Sequence, residues 1–269
     1  MNLSLLVIGG GKMGHAMVKC VLASGLFTKK QIGIIDPTAK RRSFLTADLG
    51  CHIFDIGDKT IPPVDLVIIA VKPHQISSAI KKYLPPPNSL VISIAAGINI
   101  KTLSSLIPKS HIVRAMPNTP CIIGQGVSVY YAKNTTTSEE KMIITLLSTM
   151  GKVLKVDEEA KINYATSITS SGIGFVYYYA LATYKQAIDF GFNEKEADLL
   201  VRLNFSGASQ MLKHFKDKTM QSLIDDVATA GGTTACGINA FEKEGLADNI
   251  AIGLKACLKR TLEIAKQGV

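Results

Sequence analysis

The chain has 269 residues, of which 47% are hydrophobic and 19% charged, with a formal net charge of +9. That length exceeds what one hydrophobic core usually organises, so two domains are expected, and the composition excludes a disordered or fibrous chain. The basic residues come in scattered pairs (Lys29-Lys30, Lys81-Lys82, Lys259-Arg260), with Lys40-Arg41-Arg42 the only triplet and no stripe of interleaved aromatics, which speaks against nucleic-acid binding and for attraction of small anions.

Along the first half, short apolar runs rich in β-branched residues alternate with helical patterns. Strands are predicted at Leu3–Ile8, Gln31–Ile35, Cys51–Phe54, Asp65–Val71, Ser89–Ile94 and Ile112–Met116, and helices near 12–24, 39–48, 74–82 and 99–106. Such βα repetition implies a mostly parallel, doubly wound sheet with helices on both faces. Asn134-Thr135-Thr136-Thr137 reads as a turn and an N-cap for a helix starting near Ser138, and Lys152–Val156 as one more strand.

Between the first strand and first helix, Gly9, Gly11 and Gly14 form GxGxxG, and Asp36 ends the next strand. In that context the pattern is a dinucleotide fingerprint, with the pyrophosphate expected on the backbone from Gly9 and Gly10 through Gly11, Lys12 and Met13 to Gly14. Asp36 can accept hydrogen bonds from both ribose hydroxyls, which favours NAD(H). Lys40, Arg41 and Arg42 follow closely and can pair with the 2′-phosphate of NADP(H), so the sequence leaves the choice open.

Ligands of such sheets lie beyond the carboxyl ends of the strands, and three more strand-end loops are unusual. Ala70-Val71-Lys72-Pro73 and Ala95-Ala96-Gly97 offer small residues over which a dinucleotide can pass. Arg114-Ala115-Met116-Pro117-Asn118-Thr119-Pro120 is stiffened by its prolines. There Arg114 is either an anion contact or a surface arginine, and Asn118 either orients a nicotinamide carboxamide or caps its own turn.

After about 155–160 the β-branched runs fade and helical spacing dominates, with candidate helices at Ala160–Ser170, Phe175–Phe190, Glu194–Phe215, Gln221–Val227, Ala235–Glu244 and Asp248–Gln267. We therefore expect a dinucleotide-binding domain over 1–157 and an all-α domain over 158–269. Phe175-Val176-Tyr177-Tyr178-Tyr179-Ala180-Leu181-Ala182 has no polar face, so cover from a second subunit, and hence a homodimer, is expected.

Near the end, Thr229-Ala230-Gly231-Gly232-Thr233-Thr234 runs into a helix start. Adjacent glycines and a helix N-terminus suit a carboxylate or phosphate; the plainer alternative is a turn whose threonine caps the helix. The five cysteines lie far apart, with no CxxC pair and no histidine at metal-ligand spacing, so no metal site and reduced thiols are expected. Met1 leads straight into an apolar run and glycines rather than a signal-peptide order, and Gly172–Ala182 is far short of the roughly 20 residues that span a bilayer. A cytoplasmic protein without membrane association is the expectation.

The set Gly9–Gly14, Ala70–Pro73, Ala95–Gly97, RAMPNTP at 114–120 and GGTT at 231–234, in this order and at these spacings, resembles pyrroline-5-carboxylate reductase over nearly the whole chain. The resemblance implies a Rossmann domain followed by a helical dimerisation domain that often builds larger rings. It also implies reduction of the imine of 1-pyrroline-5-carboxylate to L-proline by NADPH or NADH. Carried over, the substrate carboxylate falls on Thr229, Gly231, Gly232 and Thr233, with Thr234 the hydroxyl nearest the ring nitrogen and the candidate catalytic residue. Asp217 lies near the position of another substrate contact.

The chain departs from the family pattern in three places. Thr229-Ala230 stands where Ser-Pro is common, Ser170-Ser171-Gly172-Ile173-Gly174-Phe175 stands for SGSGPAY, and Asp36-Pro37-Thr38 replaces a polar-then-arginine arrangement. A β-hydroxyacid dehydrogenase shares the two-domain plan but needs a lysine followed one turn later by asparagine. Here Lys161 is followed by Ala165 and Lys185 by Asp189. A non-catalytic dinucleotide sensor leaves the Gly231–Thr234 turn without purpose.

Overall fold

Four apolar runs, β1 (Leu5–Ile8), β2 (Ile32–Ile35), β4 (Leu66–Ile69) and β5 (Leu90–Ser93), are buried at every position. Strands covered on both faces have this character, because helices close the sheet from either side. The other strands are β3 (His52–Phe54), β6 (His111–Pro117), β7 (Gly126–Ala132) and β8 (Gly151–Lys155). In this computed structural model, which describes residues 4–266, they form one sheet in the order β3-β2-β1-β4-β5-β6-β7-β8. All neighbours are parallel except β6 and β7.

Side chains alternate across the pleat, so each strand feeds two cores. Leu5 and Val7 join Met17, Val21, Leu45 and Leu147 on one face, where α1 (Lys12–Ala23), α2 (Ala39–Leu49) and α5 (Thr137–Ser148) supply the cover. Leu6 and Ile8 join Ile76, Ile80 and Leu103 on the other, under α3 (Ile76–Lys82) and α4 (Ile100–Leu106). Thr136 caps α5 as expected, accepting from the Glu139 N–H.

Strand β7 has no counterpart among the predicted strands. Its buried positions include Ser128 and Tyr130, so it lacks the aliphatic run that marked its neighbours. The predicted helix at 74–82 splits into a 3₁₀ turn, Pro73–Gln75, and α3. The predicted helix Ala160–Ser170 is α6 (Ala160–Ala165) continued by a π-helical turn over Thr166–Ser171. Leu3 and Gln267, the outer ends of two predicted elements, lie outside the described residues.

By packing, the chain divides into two units: one holds residues up to Ser170 and from Cys257 onward, the other Ser171–Ala256. This division falls at 170/171 rather than the expected 157/158, for a physical reason. α6 packs against β6 and β7, and polar side chains of β6 and the loop after it reach residues 159, 163 and 169. The end of α11 (Leu246–Lys266) rejoins the first unit at Gly97.

The second unit contains α7 (Gly172–Asp189), α8 (Glu194–His214), α9 (Met220–Asp225) and α10 (Thr233–Lys243). Asn193 and Glu196 form a capping box that starts α8. No residue of α7 is buried, and Tyr177 and Tyr178 are 64% and 76% exposed. Tyr179 meets Phe205 of α8 edge to face at 5.3 Å, but most of the aromatic surface of α7 faces outward.

Candidate active site

The first candidate site is the turn between β1 and α1. Gly9 has φ +108°, and an added Cβ would lie 2.8 Å from the Ala70 backbone and from Val71, so only glycine fits. A Cβ on Gly10 would overlap Leu45, and one on Gly14 would overlap the Gly9 carbonyl oxygen. Gly11 differs, since nothing lies within 4 Å of where its Cβ would be. It is the N-cap of α1, which carries no side-chain cap and no acidic residue in its first turn.

The first internal bond of α1 runs from His15 N–H to the Gly11 carbonyl, so the first-turn N–H groups of Lys12, Met13 and Gly14 are those that helix geometry leaves without a carbonyl partner. A helix start of this kind holds phosphate through backbone donors and the positive end of the helix dipole. The residues present fit a dinucleotide pyrophosphate.

Asp36, buried at the end of β2, accepts the Gly10 N–H on Oδ2 at 3.1 Å and the Thr38 N–H on Oδ1 at 2.9 Å. Ala70 and Val71 follow β4 against Gly9 and are half-buried, while Lys72 is exposed and precedes Pro73 at the start of the 3₁₀ turn. Beyond β5, Ala95 is buried and Ala96 half-buried. Gly97 carries a packing constraint of its own. With φ +77°, its missing Cβ would lie 2.9 Å from the Thr261 carbonyl and 3.1 Å from Ala265 N. Its small size is explained by the close approach of α11.

Two expected contacts are committed inside the fold. Arg114 is 2% exposed and donates from Nη1 to Glu159 Oε1 at 2.9 Å and from Nη2 to Asn163 Oδ1 at 3.1 Å. Burial lowers its pKa, an effect countered by Glu159, which also accepts the Ile100 N–H at the start of α4. Arg114 thus binds a structural carboxylate rather than a ligand. Asn118 donates from Nδ2 to the Thr169 carbonyl at 3.1 Å and accepts the Val127 N–H at 2.8 Å. It clamps the loop after β6 to β7 and to the π-helical turn.

The second candidate site is the turn before α10. Gly232 is the N-cap, again without a side-chain cap, and α10 begins at Thr233 rather than at the predicted Ala235. Threonine therefore does not cap this helix; Thr233 and Thr234 are its first two residues and are exposed. Cys236 N–H bonds the Gly232 carbonyl, so the N–H groups of Thr233, Thr234 and Ala235 are those that helix geometry leaves without a carbonyl partner.

Each glycine of this turn has its own reason. Gly231 has φ +73° with open space beyond it, while a Cβ on Gly232 would come within 2.8 Å of Thr229 Oγ1. Thr229 also accepts the Gly232 N–H through its carbonyl at 2.9 Å. Acidic residues lie just upstream, but Asp226 is paired with Lys218 at 2.6 Å and Asp225 accepts from Gln221 at 2.9 Å. The α10 start stays receptive to an anion. Asp217 is exposed in the connection before α9.

Comparison with known proteins gives the family. The pyrroline-5-carboxylate reductase dimerisation family matches residues 159–264, and residues 4–97 match a family described as NADP oxidoreductase, coenzyme F420-dependent. The pyrroline-5-carboxylate reductase of Vibrio alginolyticus is 32% identical over 263 residues, 96% of each chain. This chain belongs to the pyrroline-5-carboxylate reductase family.

Solved members of the family share the whole architecture. The reductase of Coxiella burnetii superposes with a TM-score of 0.87 at 26% identity, covering 98% of this chain and 99% of that one. The Plasmodium falciparum pyrroline carboxylate reductase with NADP bound gives 0.86 at 25% identity, with 98% of each chain covered.

Sequence reasoning missed Glu159, Asn163 and Thr169 as partners of the RAMPNTP loop. No local signal marks them, since each acts across more than forty positions of chain. The π-helical turn next to them carries Ser170, whose Oγ is buried without a hydrogen-bond partner among the described residues. The hydroxyl-rich stretch at 166–171, five of its six residues Ser or Thr, was the available hint, because Ser and Thr bonding back to carbonyls, as Thr166 and Thr169 do, loosens α-helical geometry.

Proposed function

We propose that this chain reduces 1-pyrroline-5-carboxylate to L-proline, using NAD(P)H as hydride donor. The observation that carries the reading is the start of α10, where N-cap Gly232, first-turn N–H groups and the Thr233 and Thr234 hydroxyls form an uncapped anion site inside the matched family region. The glycine loop at Gly9–Gly14 supplies the complementary requirement, a fitted pyrophosphate cradle.

When bound, the reduced nicotinamide supplies the hydride. The chain's residues then bind and orient the substrate. The backbone of 231–233 with Thr229 would hold the substrate carboxylate, and this anchoring would orient the ring for hydride transfer at C5 of the imine. Thr234 Oγ1 holds the ring nitrogen. The imine is most electrophilic when protonated, so C5 accepts the hydride while nitrogen keeps its proton, and solvent can supply that proton without a strong general base.

The backbone of Gly9–Gly14, the ends of β4 and β5 at Ala70–Pro73 and Ala95–Ala96, and Asp36 form the proposed dinucleotide surface. Asn118 positions the loop beside them. We divide the work at 157/158, with dinucleotide binding before and substrate binding and dimerisation after, which the family match starting at residue 159 supports. Outward-facing aromatics on α7 support a homodimer, open to assembly into a larger ring. The five free cysteines support a reducing, cytoplasmic setting, and among the described residues no helix is long and apolar enough to cross a membrane.

The test is to follow oxidation of NADH and of NADPH in parallel, with 1-pyrroline-5-carboxylate added, and to identify proline as product. Oxidation of neither cofactor rejects the function. A monomer by sedimentation at micromolar concentration rejects the dimer.

A further inference from the structure

NAD(H) and NADP(H) differ by one phosphate on the adenosine ribose, and the side chains that would read it surround the end of β2. Asp36 is held there by two backbone donors, one on each carboxylate oxygen: Gly10 N–H at 3.1 Å and Thr38 N–H at 2.9 Å. An ionised carboxylate has about four lone-pair directions, so one acceptor position remains on each oxygen. Two ribose hydroxyls are the donors such a pair accommodates. The same two bonds fix the carboxylate against the glycine loop, so it is not free to swing away from a second anion.

Both arginines of the basic triplet that follows are anchored to the fold. Arg41 donates from Nε to the Gly10 carbonyl at 2.6 Å and from Nη2 to the Gly11 carbonyl at 3.3 Å, with its guanidinium 4.7 Å over the Phe44 ring. Arg42 donates to the Asp36 carbonyl at 3.0 Å and pairs with Asp55 at 2.9 Å. Among the described residues, only Lys40 of the triplet makes no such bond. A 2′-phosphate would meet a fixed carboxylate while both arginines are held by carbonyls and by a second acid.

We infer that Asp36 makes this chain selective for NAD(H) over NADP(H), an inference that rests on the dinucleotide reading above. The fold itself tolerates the extra phosphate, as the NADP-bound P. falciparum reductase demonstrates. Selectivity is then set by side chains at this one turn. Like charges at hydrogen-bond distance repel, and the repulsion is poorly screened where one of them is buried.

Binding of NAD⁺ and of NADP⁺ to the full chain, measured by titration calorimetry, tests this without relying on turnover. NAD⁺ is expected to bind about tenfold tighter or more. Asp36→Ser removes the charge and opens room, so NAD⁺ should weaken, NADP⁺ should strengthen, and their ratio should shift by about tenfold or more. Because the serine also releases Gly10, Asp36→Asn serves as the second variant: it keeps the size and an acceptor but not the charge, and should move NADP⁺ affinity upward too.

Wild-type protein binding NADP⁺ as tightly as NAD⁺, or an affinity ratio unchanged in the folded Asp36→Asn variant, overturns the inference. Folded wild-type protein that binds neither dinucleotide overturns the dinucleotide reading itself, and the selectivity with it.

Discussion

Two glycine-capped helix starts dominate this chain, and they are built on opposite principles. At Gly9–Gly14, three of the four glycines are required by crowding: Gly9 against Ala70, Gly10 against Leu45, Gly14 against the Gly9 carbonyl. At Gly231–Gly232 the turn is exposed, and only the backbone angle of Gly231 and the nearness of Thr229 to Gly232 demand glycine. Both leave first-turn N–H groups without a side-chain cap. The first is a tight loop set against a core; the second is an open, exposed turn.

The comparison is broken most sharply by adding a methyl group to the crowded loop. Gly14→Ala should cost about 3 kcal/mol of stability, because the Cβ lands on the Gly9 carbonyl oxygen and backbone has to move. Urea denaturation measures this, and an unchanged midpoint would show that the loop is softer than its packing implies.

Thr234→Ala acts on the open cradle instead. Turnover should fall about 10- to 100-fold, the loss expected for one hydrogen bond to the reacting group, with dinucleotide affinity unchanged. Steady-state kinetics with calorimetry separates the two, and normal turnover would remove Thr234 from the mechanism.

Gly11→Ala sharpens the contrast inside the first loop. Gly11 has φ −62° and empty space beyond it, so stability should change by less than about 0.5 kcal/mol. Dinucleotide affinity should nevertheless fall about tenfold, because the methyl group occupies the proposed phosphate path. Tight binding by this variant would move the pyrophosphate elsewhere.

The smallest effect expected is in acid. Burial tends to raise the Glu139 carboxyl, but the Thr136 backbone N–H and His111 outweigh it and hold the pKa below its usual 4.5. Asp48, hydrogen-bonded by His15, is also lowered. A carboxylate whose folded pKa is depressed contributes stability above its unfolded pKa and loses it as pH falls through the folded value. Both groups lie in the sheet-bearing unit. Thermal melts below about pH 4.5 should therefore weaken wild type more than Glu139→Gln; equal losses would place the acid sensitivity elsewhere.

Legibility in the sequence followed the range of the interactions. The GxGxxG loop was readable because strand, turn and helix are consecutive, and so was the Thr136 cap of α5, where donor and acceptor are three residues apart. Arg114 and Asn118 were legible as unusual residues but not as to role, since their partners are 45 to 51 positions away. Strand β7 stayed hidden because a buried serine and tyrosine break its apolar run. At the α10 start the two threonines suggested a cap, yet the helix begins at Thr233 and Gly232 takes that place.

By itself the sequence determined the doubly wound half, the helical half, the two glycine turns and the family they point to. Each is encoded by local periodicity or by residues within one turn of each other. Tertiary structure decided what local pattern cannot reach. It set Arg114 on Glu159 rather than on a ligand, placed Gly97 under α11, and returned residues 159–170 to the sheet-bearing unit. It also tied Asp36 between Gly10 and Thr38. Those outcomes depend on which distant groups packing brings within hydrogen-bond distance, and a buried polar group takes the partner that packing supplies.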